Sequence, residues 1–278
     1  MTLALIREHQ LAQINNGALV AALVIEVAKE LEAGRLDRQG FIDALVATDL
    51  MGHDAAVRIA SRFVTGLRDA ERVGGVLALS EFDVGASYGR AIGTVRDLDA
   101  ARVRIEADRD YAAEFWRIIE ANAVRADRFA KGAGRETVMA SAEASGRSWR
   151  RVSDGNPCSF CAMLVSRGDA YTSEDAALTV VGRGTEVRRG KARRGGQAKG
   201  RRPRGSRGLG EKYHDHCGCT AVEVIGTWTP TAEEQRYQDA YWAATKACDA
   251  DGVPRTARNV MKRMREGGGF TDSPTSKM

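Results

Sequence analysis

The strongest constraint on this chain is a pair of cysteine clusters, Cys158-x-x-Cys161 and, much later, His214-x-x-Cys217-x-Cys219. A C-x-x-C pair offers two thiolates from one turn, and a distant second group can complete a tetrahedron around one ion. The pattern predicts a structural metal, zinc, bound by a set drawn from Cys158, Cys161, Cys217, Cys219 and one of His214 and His216. Four of the five cysteines fall in these clusters, leaving Cys248 aside. In a reducing compartment such clustering favours metal ligation over a disulfide framework.

Other readings of the same residues stay open. The four thiols could pair as disulfides or sit as plain buried thiols. A redox pair is disfavoured because no β-α-β unit leads into Pro157-Cys158-Ser159-Phe160-Cys161. Asp215-His216-Cys217 raises a cysteine hydrolase, but neighbours in sequence point apart, and a nucleophile needs its base within hydrogen-bond reach. His9 and His53 lie in helical stretches and read as ordinary histidines. No P-loop or H-E-x-x-H is present.

Joining the clusters requires the intervening chain to loop out, and that chain is unusually basic. From Arg183 to Lys212 there are twelve basic residues against Glu186 and Glu211, a net +10 compared with +5 for the whole chain, so the remainder is near −5. A Gly/Arg-rich loop with little to bury is expected over 182–212. Arg188, Arg189, Lys191, Arg193, Arg194, Arg201, Arg202 and Arg204 are the candidates for a salt-dependent, sequence-independent contact with nucleic acid or an acidic protein surface. The segment has no aromatic residue on which a base could stack. A merely solvated loop is the even alternative.

The rest of the chain reads as helical. Leu3, Ile6, Leu11, Ile14, Leu19, Leu23, Val27 and Leu31 predict a long amphipathic helix, bent near Asn15-Asn16-Gly17. A second helix follows Asp37 and a third covers about 54–73. Residues 76–98, with Gly85, Gly89 and Gly93, resist assignment. Helical character returns over 98–129 on a stripe including Val103, Ala107, Tyr111, Phe115, Ile119, Ala123 and Val124, pauses at Lys131-Gly132-Ala133-Gly134, and resumes over about 136–145. Asp154-Gly155-Asn156-Pro157 is a turn, 162–165 starts a short helix, and 220–225 alternates as a strand. Thr231-x-x-Glu234 opens a helix as a capping box, another covers about 254–265, and the tail from Gly267 is expected to be disordered. Trp149, Tyr171 and Trp228 read as packing around a metal knot.

The longest apolar run, Ala18 to Ile25, falls short of the roughly 18 residues a bilayer span needs, so no membrane helix is expected. The first ten residues lack the features of a signal peptide, and a cytosolic origin follows as the expectation.

Trp149, the segment Asp154-Gly155-Asn156-Pro157-Cys158-Ser159-Phe160-Cys161 and Tyr213-His214-Asp215-His216-Cys217-Gly218-Cys219 resemble the C-terminal module of the phage Mu F-like head morphogenesis proteins, in the version carried by actinobacterial tailed phages. The resemblance covers about 135–226 and matches His214, Cys217 and Cys219 to that family's H-x-x-C-x-C. It implies a minor capsid protein, made in the bacterial host cytoplasm, that joins the portal-proximal procapsid during head assembly, with portal and major capsid or scaffold proteins as partners. Some relatives are labelled capsid maturation proteases, so processing of capsid or scaffold is the alternative function. Non-specific binding of phage DNA through the basic loop is a third. The Arg/Gly insertion departs from the compact family pattern.

The expected architecture is mostly α (α+β): a helical region over 1–134, a Cys/His module over 135–228 carrying the basic insertion, and C-terminal helices over 229–278. The expected ligands are Cys158, Cys161, Cys219 and His214, with Cys217 as an alternate.

Overall fold

A computed structural model describes residues 2–105, 111–168 and 217–270. The protein is mostly helical, with one short two-stranded sheet and a cysteine cluster, in two compact units, Met1–Ser141 and Ala142–Met278.

The first unit contains α1 (Thr2–Glu32), α2 (Arg38–Ala70), α3 (Val84–Ile105) and most of α4 (Tyr111–Ala144). Val20, Val24 and Ala28 of α1 share one core with Phe41 and Leu45 of α2, Ala91, Val95, Leu98 and Ala101 of α3, and Phe115, Ile119, Ala123 and Ala130 of α4. Asp37 caps α2 by accepting from the Gly40 amide at 2.7 Å.

Several expectations for this region need correction. The second and third helices are one continuous α2, because Gly52-His53-Asp54 carries contacts on its buried face instead of breaking the chain. A Cβ on Gly52 would lie 2.4 Å from a Val20 methyl, so glycine allows α1 and α2 to approach closely. Nor does α1 bend at Asn15-Asn16-Gly17, since the Asn16 amide is spent across the interface, donating to the Gly52 carbonyl at 2.9 Å. Likewise Gly132 and Gly134 lie within α4, and Gly134 makes room for the Gln13 side chain, 2.1 Å from where its Cβ would stand. Most of the 76–98 stretch, which could not be assigned, belongs to α3, whose Ala91, Val95, Leu98 and Ala101 keep helical spacing through the glycines. The stretch expected as one helix over 98–129 belongs to two, and Val103, placed on its buried stripe, is exposed.

The buried face of α1 also differs from its expected register. Leu3, Leu11 and Leu19 are exposed, while Ile6, His9, Gln10, Gln13 and Asn16 are buried. Gln13 donates to the Ala56 carbonyl at 3.0 Å, so this end of the helix is fixed by hydrogen bonds as well as by apolar packing. Helix α1 is, by length and composition, long and apolar enough to cross a membrane, which the run-length reading missed; one third of that window is buried here, against helical neighbours.

Between α2 and α3 a buried polar lock forms. Asp49 accepts from the Ser87 hydroxyl at 2.6 Å and from the Arg90 guanidinium at 2.8 Å, and Arg90 lies 3.8 Å over the Phe129 ring. Ser87 is fully buried.

The second unit holds β1 (Trp149–Val152), α5 (Ser159–Val165), β2 (Thr220–Glu223), α6 (Ala232–Ala250) and α7 (Ala257–Glu266). β1 and β2 pair antiparallel, Trp149 opposite Glu223 and Val152 opposite Thr220. Glu223, its side chain fully buried, accepts from Arg147 at 2.8 Å. Ala162–Val165 pack with Tyr237, Ala244, Cys248, Val260 and Met264 into a small core. The capping box at Thr231 and Glu234 is formed, and Glu234 also pairs with Arg150 of β1.

Candidate metal centre

The site is assembled at the junction of a helix start and a strand start. Cys158 is the N-cap residue of α5, in extended conformation, and Cys161 lies in the first turn of that helix. The C-x-x-C spacing thereby returns both side chains to one side of the turn. From the other direction, Cys217 and Cys219 lead directly into β2, whose pairing with β1 fixes where they arrive.

All four cysteines are buried and none forms a disulfide. The sulfurs of Cys161, Cys217 and Cys219 lie within 4.8 Å of one another, with Cys161 and Cys217 3.5 Å apart. Cys158 joins through a side-chain hydrogen bond with Cys161. Tetrahedral zinc with bonds of about 2.3 Å separates its sulfurs by about 3.8 Å, so the donor set fits such an ion in both chemistry and spacing. Cys217, expected only as an alternate, stands among the three closest sulfurs. His214 and His216 lie outside the described residues, as do Tyr171 and the whole basic segment, including Arg188, Arg189, Lys191, Arg193, Arg194, Arg201, Arg202 and Arg204.

Without an ion, the electrostatics hold these thiols protonated. Hydrogen bonds with Cys158, Cys217 and Cys219, together with burial, push the Cys161 thiol well above its ordinary range. For Cys219 the hydrogen bond with Cys161 pulls downward, as does the charge of Arg151, but the Cys217 contact and burial outweigh them and raise it. Without a cation, several thiolates cannot share this volume; a bound divalent ion reverses that balance.

One neighbour went unread in the sequence, and a second was read as part of a turn but not for its contact with Gly218. Arg151 of β1 is 2% exposed and acts electrostatically on Cys219. No sequence signal marked it, since the strand that holds it is defined by its pairing with β2. Asp154 packs over Gly218, where a Cβ would fall 2.1 Å from its carboxylate oxygen, and accepts from the Asn156 amide at 3.2 Å. Glycine between the last two cysteines leaves room for the Asp154 side chain, which any larger residue would have to displace. Trp149 is fully buried, and Trp228 packs against Gly168, which has φ +62°.

Elsewhere, His9 stacks on Phe63 at 4.2 Å and His53 lies between Phe82 and Phe129, so both are core histidines. Cys248 is buried in the helical core with Tyr237 and Met264.

The family model of the VG15 protein matches residues 44–245, more than two thirds of the chain. The chain belongs to the VG15 protein family. This is a family of viral gene products and makes the chain a phage protein, consistent with a virion or procapsid setting. The VG15 match spans both halves of the cysteine cluster and most of the helical unit. No curated protein and no solved structure matches the chain.

Proposed function

We propose that this VG15-family chain is a minor capsid protein of the Mu F-like head morphogenesis type, acting at the portal-proximal procapsid. Its contribution is structural, and its second unit is held together by one zinc ion. The observation that carries this reading is the convergence of four buried, unoxidised cysteines from two segments far apart in sequence. Cys161, Cys217 and Cys219 supply three donors, and the fourth comes from Cys158 or from His214. The metal supplies cohesion: it ties the α5 start to the β2 start, and this unit has only a small core and a two-stranded sheet besides.

A peptidase reading gains no support from the described residues. Two serines of the helical unit donate to carboxylates, Ser87 to Asp49, which Arg90 also binds, and Ser80 to Glu136; Ser87 is fully buried and Ser80 is 9% exposed. A nucleophile needs access to substrate and a base that can take its proton.

The test is elemental analysis of protein purified without chelator, paired with thermal unfolding with and without one. About one zinc per chain and chelator-sensitive folding are expected. Metal-free protein with free or disulfide-linked cysteines would sink the structural-zinc reading. Incorporation of tagged protein into procapsids, with and without Cys161→Ser, then tests the assembly role.

A further inference from the structure

The chain linking α2 to α3 is anchored along one edge only. The Ala78 amide donates to the Ser141 hydroxyl at 3.0 Å, which in turn donates to the Ala78 carbonyl at 3.0 Å, and the Ser80 amide donates to the Thr137 hydroxyl at 3.1 Å. Arg68 bridges the Val76 carbonyl and the Ser141 carbonyl at 3.0 and 2.9 Å. Two residues of extended chain advance about 6.7 Å and one turn of helix about 5.4 Å, so Ala78 and Ser80 can address side chains one turn apart on α4 only if the segment is extended.

In extended chain the amide and carbonyl of one residue point to the same side, and those of the next to the other. Residues 78 and 80 face α4 and the Val76 carbonyl faces Arg68 of α2, which turns the backbone of Leu77 and Leu79 the other way. Among the described residues nothing hydrogen-bonds the backbone of either. Their side chains are 43% and 54% exposed, beside Val76 at 54%. An extended, apolar segment with one unpaired edge is a template for strand addition.

We propose that this edge pairs with the same segment of a second copy, antiparallel, about a two-fold axis through Ala78. That register sets Leu77 opposite Leu79 of the other copy, so each pair can exchange both main-chain hydrogen bonds, and Ala78 meets itself. The charges agree with it. Glu81 meets Gly75, and the end carrying Arg72 lies toward the end of the other copy carrying Glu81 and Asp83, whereas parallel pairing would align like ends. The occupant is thus a second copy, and the contact is a short, concentration-dependent one.

Sedimentation velocity of the full-length protein over a range of concentrations tests this together with two variants. Leu79→Pro removes an amide that the fold does not use, and is expected to weaken the dimer at least about tenfold through its two symmetric copies of the lost bond. Ala78→Cys is expected to give a disulfide-linked dimer under mild oxidation, which Val76→Cys does not. A monomer at every concentration, or a dimer that survives Leu79→Pro, overturns the proposal. Should Leu79→Pro fail to fold, the Ala78→Cys cross-link decides: no linked dimer rejects the two-fold register.

Discussion

The two units solve the same problem by different means. In the first, long helices cross closely at glycines and bury a continuous aliphatic core, with polar groups such as Gln13, Asn16 and Asp49 finding partners across the interfaces. In the second, the helical core is small, the sheet has two short strands, and the two halves of the site are far apart in sequence, Cys161 and Cys217 being 56 positions apart. Packing can set the first by itself. The second must hold together segments far apart in sequence, and a cross-link between distant positions stabilises most, because it removes the most freedom from the unfolded chain.

The sharpest way to break the comparison is to remove the proposed metal cross-link. Cys161→Ser, or chelation of the wild type, is expected to unfold the second unit while the first keeps its protection in hydrogen exchange, because structural zinc typically contributes on the order of 10 kcal/mol to its module. Uniform loss of protection across both units would show that the units do not fold independently.

The reciprocal change strikes the first unit. Gly134→Leu forces a side chain into the volume of Gln13, and Asp49→Ala leaves Arg90 and Ser87 without their shared acceptor. Each is expected to cost about 3 kcal/mol in denaturant unfolding while leaving zinc content unchanged. Loss of metal in either variant would contradict the division of labour.

How much of this was legible follows the same division. That the two cysteine segments come together was readable, because donors able to share one ion recur at short, fixed spacings. The capping box at Thr231 was readable for the same reason, as a local rule. The register of α1 was not, because reading leucines as buried assumes that apolar residues face inward, and here Gln13 and Asn16 do so with partners 43 and 36 positions away. The glycines misled in the other direction. Gly52 and Gly134 look like breaks to a propensity argument, yet they are close approaches between helices, which only the tertiary structure defines. Arg151 escaped because its role depends on Cys219, which reaches it only through strand pairing.

The histidine at the α1 crossing sharpens the comparison through pH. Burial, helped by the charge of Arg135, lowers the His9 pKa from 6.5 to about 4. The folded unit therefore holds fewer protons than the unfolded chain between these values. Its contribution to stability is intact above pH 6.5, declines as pH falls below that, and levels off near pH 4 after a loss of up to about 3 kcal/mol. His9→Phe is expected to flatten this part of the pH profile of the first unit. A profile unchanged by that substitution would assign the acid sensitivity to other groups.

The smallest effect belongs to the second unit and tests whether its helices add anything beyond the metal. Thr231→Ala deletes the hydroxyl that accepts from the Glu234 amide at 3.2 Å, while the Glu234 carboxylate can still accept from the residue 231 amide and pair with Arg150. Half of the capping box survives, so a loss of about 1 kcal/mol is expected in the zinc-bound protein. In chelated protein the same substitution should have no further effect on the second unit, since a helix start cannot be stabilised in a unit that is already unfolded. A cap that still mattered without metal would mean that α5, α6 and α7 form a core able to stand alone, and that the cysteines fasten the β1–β2 sheet to it instead of creating the unit.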